Sequence, residues 1–199
     1  MIAQELMAGA SKIGISLSEE MIEKFKIYYK ELLLWNKRMN LISRGDEQIV
    51  IRRHFLDSLQ AVQCIPQNAK VLDIGSGAGF PGVPIKIARA DIKLDLLEPK
   101  LKRFEFLDYL VNTLSLEVRI YRNRVEDLTY REYDIILSRS VGNLKWLTKV
   151  AVPILVSNGR VITYKGSRFE EEFKEVRGWE IEFRHPRSFC AGIIVGLKR

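Results

Sequence analysis

Asp73-Ile74-Gly75-Ser76-Gly77-Ala78-Gly79 sets one carboxylate on a short apolar run, just ahead of three glycines at alternate positions, and Phe80-Pro81-Gly82 carries the chain onward. That order reads as strand, tight loop and helix start. Glycines let the backbone take positive φ and let a ligand approach the main chain, while the N–H groups that open the next helix carry partial positive charge. The stretch is a platform for an anionic or nucleotide-like cofactor. Two frames compete for it. Gly77-x-Gly79-x-x-Gly82, with Glu98 closing the next apolar run about 20 residues later, matches a dinucleotide fingerprint. In the other frame Asp73 decides: a carboxylate on the strand repels a pyrophosphate but suits an ammonium, such as that of the amino-acid moiety of S-adenosylmethionine. The second frame fits better, and the loop reads as S-adenosylmethionine-binding through Asp73, Gly75, Ser76, Gly77 and Gly79.

His54-Phe55-Leu56-Asp57-Ser58 also offers chemistry, since Ser, His and Asp at these spacings share a helical face. A hydrolytic triad needs its members to converge from separate elements beside an oxyanion hole, and nothing in the sequence supplies those. The segment is expected to pack beside the loop after Asp73, with His54 and Asp57 orienting one another or the site. Cys64 and Cys190 are too few for a disulfide framework and read as ordinary small core residues. No metal is expected.

The elements that must position these groups alternate. Ser16 to Arg38 reads as an amphipathic helix, with Ser16-x-x-Glu19 as a capping box and Ile22, Phe25, Tyr29, Leu32 and Leu33 on its apolar face. Asp46 can cap a second helix running to about residue 63. Pro66 and the residues after it mark a boundary between an N-terminal helical extension, 1–66, and an α/β domain, 67–199. Strands are expected at Lys70–Ile74, Ile92–Leu97, Leu116–Ile120, Asp134–Ser138 and Arg160–Tyr164, with helices from Pro81, over Lys100–Asn112 and over Asn143–Val156. The rhythm predicts a mostly parallel, doubly wound, Rossmann-like sheet. Trp179–Arg184 and Phe189–Leu197, joined through His185–Ser188, predict a terminal antiparallel hairpin of the kind found in Rossmann-like methyltransferases. Ligands of open α/β sheets bind outside the carboxyl ends of the strands. Asp73 to Gly79, Glu98, Arg124-Val125-Glu126 and Ser138-Arg139-Ser140 should therefore converge. Glu98 would accept from two ribose hydroxyls, Val125 and Glu126 would contact an adenine, and Arg139 would position the cofactor or the acceptor.

The chain of 199 residues, 47% hydrophobic, can bury one sizeable core. Its net charge of +7 favours a polyanionic partner through counterion release, without saying RNA rather than DNA. Arg38, Arg44, Arg52, Arg53, Lys100, Lys102, Arg103, Lys165 and Arg187 are the candidates for phosphate contact. No apolar run approaches the ~20 residues of a membrane span, and residues 1–14 lack the pattern of a secretory signal. A cytosolic monomer is expected.

Asn36-Lys37-x-Met39-Asn40-Leu41, His54-Phe55-x-Asp57-Ser58-Leu59, Asp73 to Gly82, Lys102-Arg103, Arg124-Val125-Glu126, Ser138-Arg139 and Lys165-Gly166 together resemble the bacterial small-subunit ribosomal RNA guanine-N7 methyltransferases, also called glucose-inhibited division protein B. The resemblance implies a class I S-adenosylmethionine-dependent fold and methyl transfer to N7 of one guanine, position 527 in the 530 loop of 16S ribosomal RNA, with that RNA or the small subunit as partner. Carried over by position, Gly75, Phe80, Val125, Glu126 and Arg139 would contact the cofactor. Where members of the family often have Asp-Ser at the second strand end, this chain has Glu98-Pro99, and Ser140 follows the arginine in place of Ala. A methyltransferase of another RNA or of a small molecule, a nicotinamide-dependent oxidoreductase and a non-catalytic RNA-binding module are the rival readings.

Overall fold

The computed structural model describes residues 2–128 and 132–199. Two long helices come first, α1 over Ile2–Lys12 and α2 over Glu19–Met39. Helix α2 begins later than its capping box suggests: Ser18 is the cap, its Oγ accepting the Met21 N–H at 3.2 Å. Its buried stripe runs through Ile22, Phe25, Tyr28 and Leu32, while Tyr29 and Leu33 are only partly buried. Spacings of three and four both keep a residue on one helical face, which is why 28 rather than 29 could take the core position.

The expected second helix from Asp46 is instead a chain of short turns. A 3-10 turn over Arg44–Ile49 passes into a π-helical turn over Ile51–Leu56, then the single turn α3, Asp57–Leu59, then a 3-10 turn over Val62–Cys64. The wide π turn fits the burial of Phe55, Leu56, Asp57, Ser58 and Leu59 in sequence, a run that no single face of a regular helix could bury. Gly9 of α1 packs so closely on Leu56 that a Cβ there would meet the leucine at 2.1 Å.

Strand β1, Lys70–Ile74, opens the sheet and is followed by α4, Gly82–Ala88; β2, Lys93–Leu97; α5, Leu101–Thr113; β3, Val118–Tyr121; and β4, Tyr133–Arg139. Helix α6, Leu144–Ala151, ends about a turn earlier than expected, because Leu155 already belongs to β5, Leu155–Lys165. Pairing between β4 and β5 jumps from Tyr133 with Leu155 to Ile135 with Arg160, so Ser157-Asn158-Gly159 bulges out within the strand rather than closing a helix. A short helix that the sequence reading did not foresee, α7 over Phe169–Lys174, precedes β6, Glu180–Pro186, and β7, Ile193–Lys198.

The seven strands lie in the order β3-β2-β1-β4-β5-β7-β6. The first five are parallel, and β7 enters antiparallel between β5 and β6, which gives the expected mostly parallel sheet with a terminal hairpin. Alternate residues serve alternate faces. Val71, Leu94, Leu96, Ile135, Leu137 and Ile162 pack under α1, α2, α4 and α5, whereas Leu72, Ile74, Leu97, Ile136, Val161 and Val195 pack against α6 and α7. Cys64 and Cys190, expected in the core, are only partly buried. Among the described residues no helix is long and apolar enough to cross a membrane.

The joint between the early helices and the sheet is aromatic. Phe55 is fully buried, with ring centroids 5.1 Å from Phe25, 4.9 Å from Tyr28 and 5.9 Å from Phe80. Truncating such a ring removes its transfer free energy and leaves a cavity. Phe55→Ala is expected to destabilise the fold by about 3–5 kcal/mol in urea unfolding, and Phe55→Leu by markedly less. A loss below about 1 kcal/mol for the alanine variant would show that this joint does not hold the layers together.

Candidate functional site

The loop after β1 is wound on left-handed glycines, with φ 69° at Gly75, 60° at Gly77 and 97° at Gly79. It is tied down at every turn. Gly75 and Ser76 donate their N–H groups to the carbonyl of Leu97 at the end of β2, at 2.8 and 3.2 Å, and Ser76 Oγ donates to the Asp73 carbonyl at 2.9 Å. From above, Tyr28 of α2 donates its hydroxyl to the Ala78 carbonyl at 2.5 Å. A Cβ at Gly79 would sit 2.6 Å from that hydroxyl, so only glycine admits the contact.

Asp73 is completely buried at the end of β1. Its Oδ2 accepts the Gly82 N–H at 2.9 Å, where α4 begins, and a Cβ at Gly82 would lie 2.7 Å from the same oxygen. Its Oδ1 is buried without a hydrogen-bond partner among the described residues. Burial pushes the Asp73 carboxyl up to about 7, with Glu98 adding to it, against the Gly82 N–H and the Arg139 charge that pull it down. A buried carboxylate with one free oxygen fits a cationic group of a cofactor, which would supply the missing partner.

The other strand-end residues gather around this loop. Glu98 is buried, and its carboxylate accepts the Gly77 N–H at 3.0 Å and the Lys100 N–H at 2.9 Å. Val125 is buried among Leu72, Ile74 and Leu97, at the start of a 3-10 turn, whereas Glu126 is exposed and accepts from the indole of Trp146 at 3.1 Å. Val141, in the loop after β4, lies where a Cβ of Gly75 would be, at 2.5 Å. The loops after β1, β2, β3 and β4 thus lie together outside the carboxyl ends of the strands, where open α/β sheets bind ligands.

Arg139 is the hinge of the second half of the site. Its guanidinium lies 4.8 Å over the ring of Phe80, Nη2 is 3.1 Å from His54 Nδ1, and Nη1 is 3.5 Å from Asp57 Oδ2. A guanidinium only donates, so His54 Nδ1 must accept, and the imidazole proton belongs on Nε2, which faces Asp46 at 3.4 Å. Burial and the Arg139 charge push the His54 imidazolium down to about 4, despite the pull of Asp46. The ring is neutral near pH 7 and stacks on Phe80 at 4.8 Å. His54 and Asp57 thus do not orient one another, as the sequence reading allowed; each meets Arg139 instead. Asp57, fully buried, is also gripped by Arg187 from the terminal hairpin, through Nε at 2.8 Å and through Nη2. Ser58 Oγ turns back to the His54 carbonyl, away from any triad geometry.

A cavity of about 260 Å³ opens beside Arg139, lined by Asp46, Arg53, His54, Arg139, Ser140, Tyr164, Gly166 and Arg187. Of the candidate phosphate contacts, Arg38, Arg44, Arg52, Arg53, Lys100 and Lys102 are exposed. Arg103 is half-buried beside the glycine loop, Lys165 is buried against Glu172 at 2.8 Å, and Arg187 serves Asp57. Sequence reasoning missed Tyr28, Asp46, Phe55 and Tyr164 as parts of the site. The aromatic residues looked like ordinary core, and the Asp57–Arg187 pair spans 130 positions with no local signal.

Residues 21–183 match the family model described as rRNA small subunit methyltransferase G, GidB. A ribosomal RNA small subunit methyltransferase G of Aquifex aeolicus is 40% identical over 186 residues, 89% of this chain and 93% of that one. The protein of the same name from Caldanaerobacter subterraneus subsp. tengcongensis is 40% identical over 177 residues, 85% of this chain and 74% of that one. Among solved structures, ribosomal protein L11 methylase from Lactobacillus delbrueckii subsp. bulgaricus superposes with a TM-score of 0.60 at 12% identity, over 72% of this chain and 77% of that one. TYW2 of P. horikoshii in complex with MeSAdo gives 0.59 at 16% identity, over 72% and 61%.

The two perturbed groups work against each other in stability. Between about pH 4 and 7 folded Asp73 keeps a proton that the unfolded chain has released, so this group makes stability fall as pH rises through that window. His54 has the opposite sign: between about pH 4 and its ordinary 6.5 only the unfolded chain binds the proton, so its contribution rises with pH. Asp73→Asn should therefore gain on the parent by up to ~1.4 kcal/mol per pH unit across the first window, and His54→Gln should fall behind it across the second. Urea unfolding at pH 4.5, 5.5 and 6.5 measures both, and parallel profiles for parent and variants would overturn the assignment.

Proposed function

The chain belongs to the rRNA small subunit methyltransferase G family, and from that premise we propose that it transfers a methyl group from S-adenosylmethionine to N7 of a guanine, position 527 in the 530 loop, in 16S ribosomal RNA. The observation that carries the reading is the buried Asp73 carboxylate at the end of β1, just ahead of the glycine loop, whose Oδ1 has no partner among the described residues. Bound S-adenosylmethionine supplies a methyl group on a sulfonium.

Asp73 would hold the ammonium of that cofactor as a carboxylate, its proton released to solvent. The backbone of Gly75, Ser76, Gly77 and Gly79 would admit its close approach, with Phe80 beside it, Glu98 would hold the ribose, and Val125 and Glu126 would hold the adenine. The Arg139 cavity takes the target base. Guanine N7 presents a free lone pair on the base edge beside the O6 acceptor. No proton has to leave it before attack, so the residues here need only hold the edge in line and exclude water. Proximity and orientation supply up to ~7–11 kcal/mol of such a barrier. Arg139 offers a fixed cation to the O6 side, and Asp57 balances its charge so that the cationic cofactor is tolerated next to it. His54, neutral and engaged through Nδ1, holds the guanidinium in place and moves no proton. The basic surface around Arg38, Arg44, Arg52, Arg53, Lys100 and Lys102 gathers the polyanion, and a ribosomal RNA substrate supports a cytosolic location.

Cofactor affinity and transfer rate should respond differently to pH. Calorimetric affinity for S-adenosylmethionine is expected to climb up to about tenfold per pH unit below 7 and to level near neutrality, because Asp73 must ionise to bind. Gly77→Val, which loads a left-handed position with a β-branched side chain, should abolish binding with the fold intact. A flat affinity between pH 5.5 and 7.5 would remove Asp73 from ammonium contact. The single-turnover rate at saturating RNA and cofactor, by contrast, should stay nearly flat between about pH 6 and 8. A saturating rate that climbs tenfold per unit, and loses that climb in His54→Gln, would mean general-base catalysis and an attacked atom other than N7.

A further inference from the structure

A second, larger cavity of about 420 Å³ lies against the first, lined by Ile49, Arg52, Arg53, Arg187, Phe189, Cys190 and Ala191. The two share Arg53 and Arg187 as a common wall. Its chemistry differs from that of a phosphate groove. Ile49 is exposed, and Phe189, in the turn between β6 and β7, is half-buried, one side packed on the core under the sheet. The charged groups on its wall are all guanidinium; among the described residues no carboxylate lines it. Two of these arginines are held in place. Arg187 spans the Asp57 carboxylate and donates to the Ala191 carbonyl at 3.2 Å, and Arg53 leans on Asp46 at 3.3 Å. Arg52 has no ion-pair partner among the described residues and is exposed at the rim.

We propose that this cavity is a second nucleotide subsite, which seats the base of a residue next to the target guanine in the RNA chain. The inference rests on the RNA reading above. An aromatic face combined with guanidinium planes is what holds unstacked bases in single-stranded RNA. A guanine delivered into the Arg139 cavity has left its stack, and its neighbour has lost a stacking partner in the process. Phe189 restores that partner one wall away, while Arg52 and Arg53 meet the phosphate between the two residues. An acidic peptide would find the charge but would have no use for the ring.

The test uses the target-loop RNA, as a free transcript and within reconstituted small subunits. Phe189→Leu keeps apolar volume but removes the stacking face, and it should weaken RNA binding about fivefold or more, with cofactor affinity and unfolding midpoint unchanged. Phe189→Trp should keep RNA affinity and should add an emission, relative to the parent, that RNA quenches. An abasic residue on one side of the target guanine should reproduce the leucine loss in the parent and add nothing to it in Phe189→Leu. Parent-like RNA affinity in Phe189→Leu, an unquenched added tryptophan, or an abasic loss that adds fully to the leucine loss would each overturn the subsite. Should Phe189→Leu fold poorly, the tryptophan and abasic arms decide alone. If the parent neither binds nor methylates the RNA, the functional reading itself fails; if the parent methylates it and these signatures are missing, only the subsite does.

Discussion

One buried carboxylate, Asp57, holds three distant parts of the chain in register. It comes from the irregular segment between α2 and β1, and its partners are Arg139 at the end of β4 and Arg187 in the terminal hairpin. With no exposed surface of its own, it would be costly if either arginine were lost: breaking a buried ion pair from one side costs about 3–5 kcal/mol, because the remaining charge is stranded. The arrangement also does what an apolar replacement could not. It fixes the direction of the Arg139 guanidinium, and through it the tautomer of His54 and the stacking on Phe80. A cavity wall made of two arginines stays open because a common anion stands behind them.

Asp73 follows an opposite logic. Its charge is left half-satisfied, with one oxygen on the Gly82 N–H and the other without a partner among the described residues. A fully satisfied carboxylate would have been more comfortable in the fold and of less use to a cation. The glycines around it are therefore of two kinds. Gly79 and Gly82 yield space to Tyr28 and to Asp73 itself, whereas a Cβ at Gly77 would meet nothing nearer than 3.8 Å. Gly77 is glycine for its backbone twist, not for packing, and it is the position open to a ligand.

Much of this was legible in the residues. The alternation of apolar runs and turn signals predicted five parallel strands and the hairpin, and the motif frame around Asp73 favoured a methyltransferase over a dinucleotide-binding enzyme, consistent with the family to which the chain belongs. What escaped was of two physical kinds. Local irregularity hid where burial beat propensity: the run Phe55 to Leu59 is buried on all sides, so a regular helix pattern could not be extended through it, and the strand bulge at Ser157-Asn158-Gly159 looked like a stop signal. Long-range pairing hid because nothing in a sequence marks it. Lys165 and Arg187 both read as candidate phosphate contacts, yet each is paired with a carboxylate inside the protein, Glu172 and Asp57.

The helical segment ahead of β1 is the clearest case of a part whose role depends on the rest. Read alone it is an amphipathic extension, separable at Pro66. In the fold its residues supply the lid of the glycine loop through Tyr28, the aromatic bed of Phe80 through Phe55 and His54, and the anion behind Arg139 through Asp57. Phe80 is the point where the two meet, stacked between rings from before β1 and bearing the Arg139 cation. The cavity beside Arg139 requires this segment, since Asp46, Arg53 and His54 form one side of its wall and Arg139, Tyr164 and Arg187 the other. The glycine loop is thus set by the sheet, and the cavity beside it by the irregular turns that pack against the sheet.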